Sequence, residues 1–153
     1  MAKDYKPLDL LSKEQLKEIR EKKDWINVVS ISLNWLQIIF SMALFFYFPN
    51  VLTFLLAVII IGSRQFALAV LAHDGAHNLL FSNEKINDFA SQWFCAFPLF
   101  SDNRPYRPYH LAHHRFTESE NDPDISLSAP FPITKASFRR KVIRDLTGQT
   151  GFR

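Results

Sequence analysis

Charge is what this sequence withholds over two long stretches. Residues 26–48 (INVVSISLNWLQIIFSMALFFYF) carry no charged side chain over 23 positions, and residues 51–72 (VLTFLLAVIIIGSRQFALAVLA) carry only Arg64 over 22. Neither keeps a charged face for water, which argues against a soluble helical hairpin, although Asn27, Ser30, Ser32, Asn34, Gln37 and Ser41 dilute the first. At about 1.5 Å per residue each is long enough to cross a hydrocarbon core of roughly 30 Å. Two transmembrane helices joined by the turn Pro49-Asn50 are expected.

Other absences narrow the reading. The first 25 residues are charged throughout, so no cleavable signal peptide precedes the spans. The connecting turn has no Lys or Arg, whereas seven precede the first span and ten follow the second. That asymmetry puts both ends, and everything after the second span, on the cytoplasmic side. Cysteine occurs once, at Cys95, and reads as a small buried hydrophobe. No stacking or groove-reading motif accompanies the net charge of +3, which suits the inner membrane face and excludes nucleic acid as a partner.

A chain of 153 residues is one domain at most, and 48% apolar residues with 15 Phe exceed what a small soluble core needs. The fold class expected is all-α: an integral membrane protein with a two-helix transmembrane hairpin and cytoplasmic or interfacial helices. Residues 1–25 form a cytoplasmic N-terminal segment. Within it Ser12 and Gln15 make a capping box, Leu11 and Leu16 a hydrophobic staple, and a helix runs from 13 to about 24. Residues 86–100 (INDFASQWFCAFPLF) are apolar but too short to span and are interrupted by Pro98, so they read as an interfacial or re-entrant helix. Over 135–147, Phe138, Val142 and Leu146 recur every four residues among Arg139, Arg140, Lys141 and Arg144. This is a basic amphipathic helix that suits an anionic lipid surface and plain solvent equally. Arg64, roughly 12 Å inside the second span, is expected to face a bundle interior or a polar cavity.

All five histidines fall in two clusters, HDGAH (His73, His77) and HLAHH (His110, His113, His114). On a helix, positions i and i+4 lie within about 40° and i and i+3 within about 60°, so each cluster presents its rings from one face. A lone histidine is most often a hydrogen-bonded residue, but five of five at ligand spacing point to metal: iron, zinc, copper or nickel. HDGAH also matches the zinc-protease pattern HExxH with Asp74 in the glutamate's place. That reading fits poorly, because Asp is a shorter arm, Gly75 weakens a ligand helix and HLAHH is left unused.

Two apolar helices, HDGAH, an apolar interfacial segment, then HLAHHRFT with NDPD after it resemble the membrane fatty acid desaturase family and its hydroxylase relatives over about residues 26–124. The resemblance implies that residues 26–153 are the N-terminal part of a desaturase-like domain. It implies two iron ions at the cytoplasmic helix ends, held by His73, His77, His110, His113 and His114, and O2 as oxidant of a lipid or fatty acyl substrate. Asp74, Asp102, Asp122 and Asp124 would orient ligand imidazoles through their far N–H, or serve as solvated or turn carboxylates; Arg115 would pair with one of them. Members of that family carry a third histidine box after a second pair of membrane helices, and neither is present, so a fragment of a longer enzyme is expected. No cytochrome b5-like haem motif is seen, which leaves electrons to a lost domain or to a separate ferredoxin or cytochrome b5-like donor. The same boxes serve carotenoid and other lipid hydroxylases, and an inactive membrane fragment with a metal-binding or partner-binding role is the alternative from another class.

Overall fold

A computed structural model describes residues 10–152; residues 1–9, the start of the N-terminal segment, lie outside the described residues. Every regular element among the described residues is helical. The chain divides into two compact units, residues 1–108 and residues 109–153.

In the first unit, α1 (Lys13–Ile19) opens with the expected capping box: Ser12 Oγ accepts from Gln15 N–H and the Gln15 side chain accepts from Ser12 N–H. The helix stops at Ile19 instead of continuing to 24. A separate helix, α2 (Asp24–Tyr47), starts at Asp24, whose carboxylate accepts from Ser82 N–H at 2.8 Å and Ser82 Oγ at 3.0 Å. That long-range tie fixes a new helix start that local charge patterning does not reveal. Asn50 and Thr53 form a second capping box at the head of α3 (Val51–Ala76), which turns the chain back through Pro49-Asn50.

The packing of α2 on α3 is inside-out by soluble standards. Asn34, Ser41, Thr53 and Ala57 are buried with Ile31, Ile38 and Leu68, while Leu36, Ile39, Phe40, Phe46, Leu52 and Ile59 stand exposed. Small and polar residues at a helix contact with large apolar ones outside is what lipid, not water, selects. Both helices are long and apolar enough to cross a membrane. The chain is an all-α membrane protein. Arg64 is half-buried on α3, its Nε donating to Ser63 Oγ at 3.4 Å.

The segment expected to be interfacial is one helical run that changes its winding. It begins as α4 (Glu84–Ala90), passes into a π-helix at Ser91–Ala96 and closes with a 3₁₀ turn at Phe97–Leu99 containing Pro98. Asn87, Ala90, Ser91, Cys95 and Ala96 face inward. Cys95 is fully buried, as read, and burial pushes its thiol up to about 12.

The helix α5 (Asn103–Phe116) begins in the first unit. The second unit carries its remainder from Tyr109, then a short α6 (Ile125–Ser128) and α7 (Lys135–Leu146), which Thr134 caps. Phe138 and Leu146 are exposed on α7, and Lys141 pairs with Asp145 at 2.6 Å.

Candidate metal centre

The last turn of α3 carries the first histidine pair past the end of the apolar stretch. His73 lies within the helix and His77 is its C-cap with near-helical angles (φ −85°, ψ 4°), so the i, i+4 alignment survives to the last residue. Their ring centroids are 4.8 Å apart. The helix then ends sharply. Asn78 is left-handed (φ 57°), its N–H donates to the Gly75 carbonyl at 3.0 Å, and Leu79 N–H donates to the Asp74 carbonyl at 2.9 Å. This 6→1 and 5→2 pairing is the Schellman stop, and asparagine tolerates the left-handed position better than most residues.

Carbonyls at a helix C-terminus lack intrahelical donors and carry partial negative charge. Here three side chains add donors around this end, two at the Gly75 carbonyl in the last turn and one at the Ala72 carbonyl, which also keeps its helical bond from Ala76 N–H. Asn87 Nδ2 donates to the Gly75 carbonyl at 2.9 Å, Arg107 Nη2 donates to the same oxygen at 3.0 Å, and Asn103 Nδ2 donates to the Ala72 carbonyl at 2.9 Å. The Asn87 Oδ1 also takes Leu80 N–H at 3.1 Å. Arg107 pairs with Asp88, and that bond holds the Asp88 carboxyl below its ordinary range against a small opposing effect of burial. Gly75 has a reason to lack a side chain: a Cβ there would fall on the Ser91 side chain, 2.8 Å from its Oγ, and 3.3 Å from Asn103 Nδ2.

Asn103, Arg107, His110 and His114 follow one another at spacings of four, three and four along α5. That is one face of a helix. The first two residues of this face are the ones bonded to the last turn of α3; the next two are histidines.

In the second unit, His110 and His114 stand with ring centroids 4.5 Å apart and their Nε2 atoms at 3.0 Å. Two nitrogens at right angles on one ion, each about 2.1 Å from it, are separated by about 3.0 Å, so the spacing fits shared coordination. The same distance also fits one neutral ring donating to the other. His113 is held differently: Asp122 Oδ1 lies 2.8 Å from its Nδ1 and Asp124 Oδ2 at 3.6 Å. The bond to Asp122 raises the His113 pKa, burial opposing it. Asp122 is itself buried, which would raise its carboxyl, but the bonds from His113 and from the N–H groups of Asp124 and Glu118 leave it lowered.

Within each unit one histidine pair could hold a metal ion: His73 with His77 in the first, His110 with His114 in the second. Of the expected carboxylates, Asp74 lies 3.3 Å from His73 Nδ1 and Asp122 beside His113. Asp124 takes the Tyr109 hydroxyl, and Asp102 goes to Arg104 at 3.2 Å, not to a histidine. Arg115 lies over the Phe116 ring, its Cζ 5.3 Å from the centroid. Sequence reasoning missed Asn87, Asn103 and Arg107 altogether. The one local signal was the 4–3–4 spacing that joins the last two to His110 and His114.

The family model described as "Fatty acid desaturase" matches residues 49–153. The dihydrorhizobitoxine desaturase of Bradyrhizobium elkanii is 40% identical over 72 residues, 46% of this chain and 20% of that protein. The omega-3 fatty acid desaturase fat-1 of Caenorhabditis elegans is 38% identical over 79 residues, 51% of this chain and 19% of that protein. The chain thus spans about a fifth of the length of these curated relatives. No solved structure matches. The family match covers both histidine clusters and the helix that precedes them, and this chain belongs to the fatty acid desaturase family.

Proposed function

We propose that this chain is part of an O2-dependent desaturase that introduces a double bond into a lipid acyl chain, with His73, His77, His110, His113 and His114 holding two iron ions. The observation that carries the reading is the 3.0 Å spacing of Nε2 in His110 and His114, on the α5 face that is bonded through Asn103 and Arg107 to the helix end bearing His73 and His77. Both matched relatives are named desaturases, one of them for a fatty acid, which favours acyl desaturation over hydroxylation.

When bound, a non-haem di-iron centre supplies the oxidising power needed at an unactivated C–H bond. The protein side chains have narrower tasks. Asp122 takes the Nδ1 proton of His113, which leaves Nε2 as the free ligand atom and fixes the ring; Asp74 stands at the same nitrogen of His73. The Asn87, Asn103 and Arg107 bonds hold the last turn of α3 and the first turns of α5, so the imidazoles project from anchored helices rather than loops. Forming one double bond removes two hydrogens from the acyl chain; together with two electrons and two protons from outside they reduce one O2 to two waters. The electrons come from a one-electron donor, ferredoxin or cytochrome b5-like. Lys and Arg distribution favours a cytoplasmic position for both termini and the histidines, where such donors reside.

Iron per chain, measured on the full chain in detergent micelles, tests the reading. His73→Ala, His77→Ala, His110→Ala and His114→Ala should each lose at least about half of the iron while circular dichroism stays that of the parent. Iron content that ignores all four substitutions would sink it.

A further inference from the structure

The helix α7 (Lys135–Leu146) takes no part in the metal centre, and packing within its unit does not explain its composition. None of its residues is buried. Phe138 is 56% exposed and Leu146 83%, with Val142 and Ile143 exposed beside them. Phe138, Val142 and Leu146 recur every four residues, which stacks them into one ridge along the helix. A helix kept only in water has no use for such a ridge, and one of 12 residues is marginal on propensity alone.

Charge supplies the second observation. The segment carries Lys135, Arg139, Arg140, Lys141 and Arg144 against one acid, Asp145. Asp145 is spent: Lys141 pairs with one of its oxygens at 2.6 Å, and Thr150 Oγ1 donates to the other at 2.6 Å. Arg140 meets a neutral group, its Nη2 donating to Ser137 Oγ at 2.8 Å. Lys135, Arg139, Arg140 and Arg144 thus form no ion pair among the described residues. An acidic protein surface would answer these cations and leave the ridge in water. A zwitterionic bilayer would take the ridge and leave the cations without a counter-charge. An anionic bilayer surface takes both, and the polypeptide is already tied to a bilayer through α2 and α3.

We infer that α7 lies in the plane of an anionic bilayer surface, the ridge of Phe138, Val142 and Leu146 sunk between headgroups and its cations on lipid phosphates. Lys135 and Arg139, close to the ridge by helical angle, reach phosphate by extending their stems toward the headgroups, while Arg140 and Arg144 take the opposite, water-facing side. This surface goes beyond the function proposed above and does not depend on it.

The test places the full chain in nanodiscs of phosphatidylcholine alone or of an equimolar mixture with phosphatidylglycerol. A nitroxide is attached at Leu146→Cys or, on the opposite face, at Arg144→Cys; Cys95 is fully buried and stays unlabelled. Collision with O2, which concentrates in lipid, and with a water-soluble nickel chelate reads the depth of each label. In the mixed discs the label at 146 should be open to O2 and shielded from nickel, and the label at 144 open to nickel. In phosphatidylcholine alone, or in the mixed discs at high salt, the label at 146 should turn to water. Arg139→Gln, Arg140→Gln and Arg144→Gln together disturb no packing, since no residue of α7 is buried, and should lower the bound-to-free ratio of the helix in mixed discs at least about tenfold. A label at 146 that behaves alike in both discs, or is shielded from both reagents as in a protein contact, would overturn the proposal. So would labels at 144 and 146 that cannot be told apart, or a triple variant that stays bound.

Discussion

Replacing Gly75 with alanine sets two effects of opposite sign against each other. Alanine in a helix is favoured over glycine by about 0.5–1 kcal/mol, which alone would stabilise α3. The added methyl, however, would land on the Ser91 side chain and 3.3 Å from Asn103 Nδ2, in a turn where Gly75 and Ser91 are both buried. Overpacking of that kind costs about 1–3 kcal/mol, and the atom in the way belongs to the neighbouring helical run rather than to a flexible tip. Packing should win, leaving Gly75→Ala about 1–2 kcal/mol less stable. The strain also has a direction: it pushes apart the Ser91 and Asn103 contacts that hold the end of α3. Thermal unfolding of the full chain in micelles reads the stability, and Ser91→Gly, which removes the obstructing atoms, supplies the control. In a double-mutant cycle the pair should be less damaged than the two single changes summed, by about 1 kcal/mol or more. A Gly75→Ala chain as stable as the parent, or a cycle with no coupling, would show that the close approach of α3 to Ser91 is not part of the fold.

Other consequences are as direct. Asn103→Leu removes the side-chain bond to the Ala72 carbonyl, which keeps its helical donor, and should cost about 0.5–1.5 kcal/mol in thermal unfolding, with iron lost although every histidine remains. Leu36 is exposed near the middle of α2, so Leu36→Lys should reduce membrane insertion in a glycosylation-mapping assay by an amount near 2.5–3.5 kcal/mol; unchanged insertion would mean that α2 does not span. The Asp88 carboxyl is held below its ordinary value of 3.8 by Arg107, so its contribution to stability is full above that value and disappears as pH falls through the lowered one. Asp88→Asn should flatten that part of the acid-unfolding curve, and because Asp88 is half exposed the effect should be small and shrink in salt. Asp122→Ala removes the acceptor shared by His113, Glu118 N–H and Asp124 N–H, and amide exchange at Glu118 and Asp124 should accelerate.

What the sequence made legible is what short-range periodicity controls. Two uncharged stretches gave two long helices, a Ser-x-x-Gln pattern gave a capping box, and i, i+4 spacing put His73 with His77 and His110 with His114 on shared faces. The anchors were illegible for the complementary reason. Asn87 reaches back 12 residues, Asn103 31 and Arg107 32 to their carbonyls, and no local pattern marks such partners before the fold is known. The early end of α1 has the same origin, since Asp24 is committed to Ser82, 58 residues away. The π-helical turn at Ser91–Ala96 was invisible because SQWFCA has no feature that distinguishes five-residue from four-residue hydrogen bonding. Asp102 looked like a partner for histidine by position in sequence, yet Arg104, two residues on, claims it by proximity.

The central claim, that both histidine pairs hold iron, is tested most directly by iron-edge X-ray absorption on the iron-loaded full chain. Imidazole nitrogens at about 2.1 Å, with the outer-ring scattering that only imidazole gives, are expected, and that signal should weaken in both His77→Ala and His114→Ala. A first shell of oxygen alone, or an imidazole signal lost in one variant and untouched in the other, would contradict it.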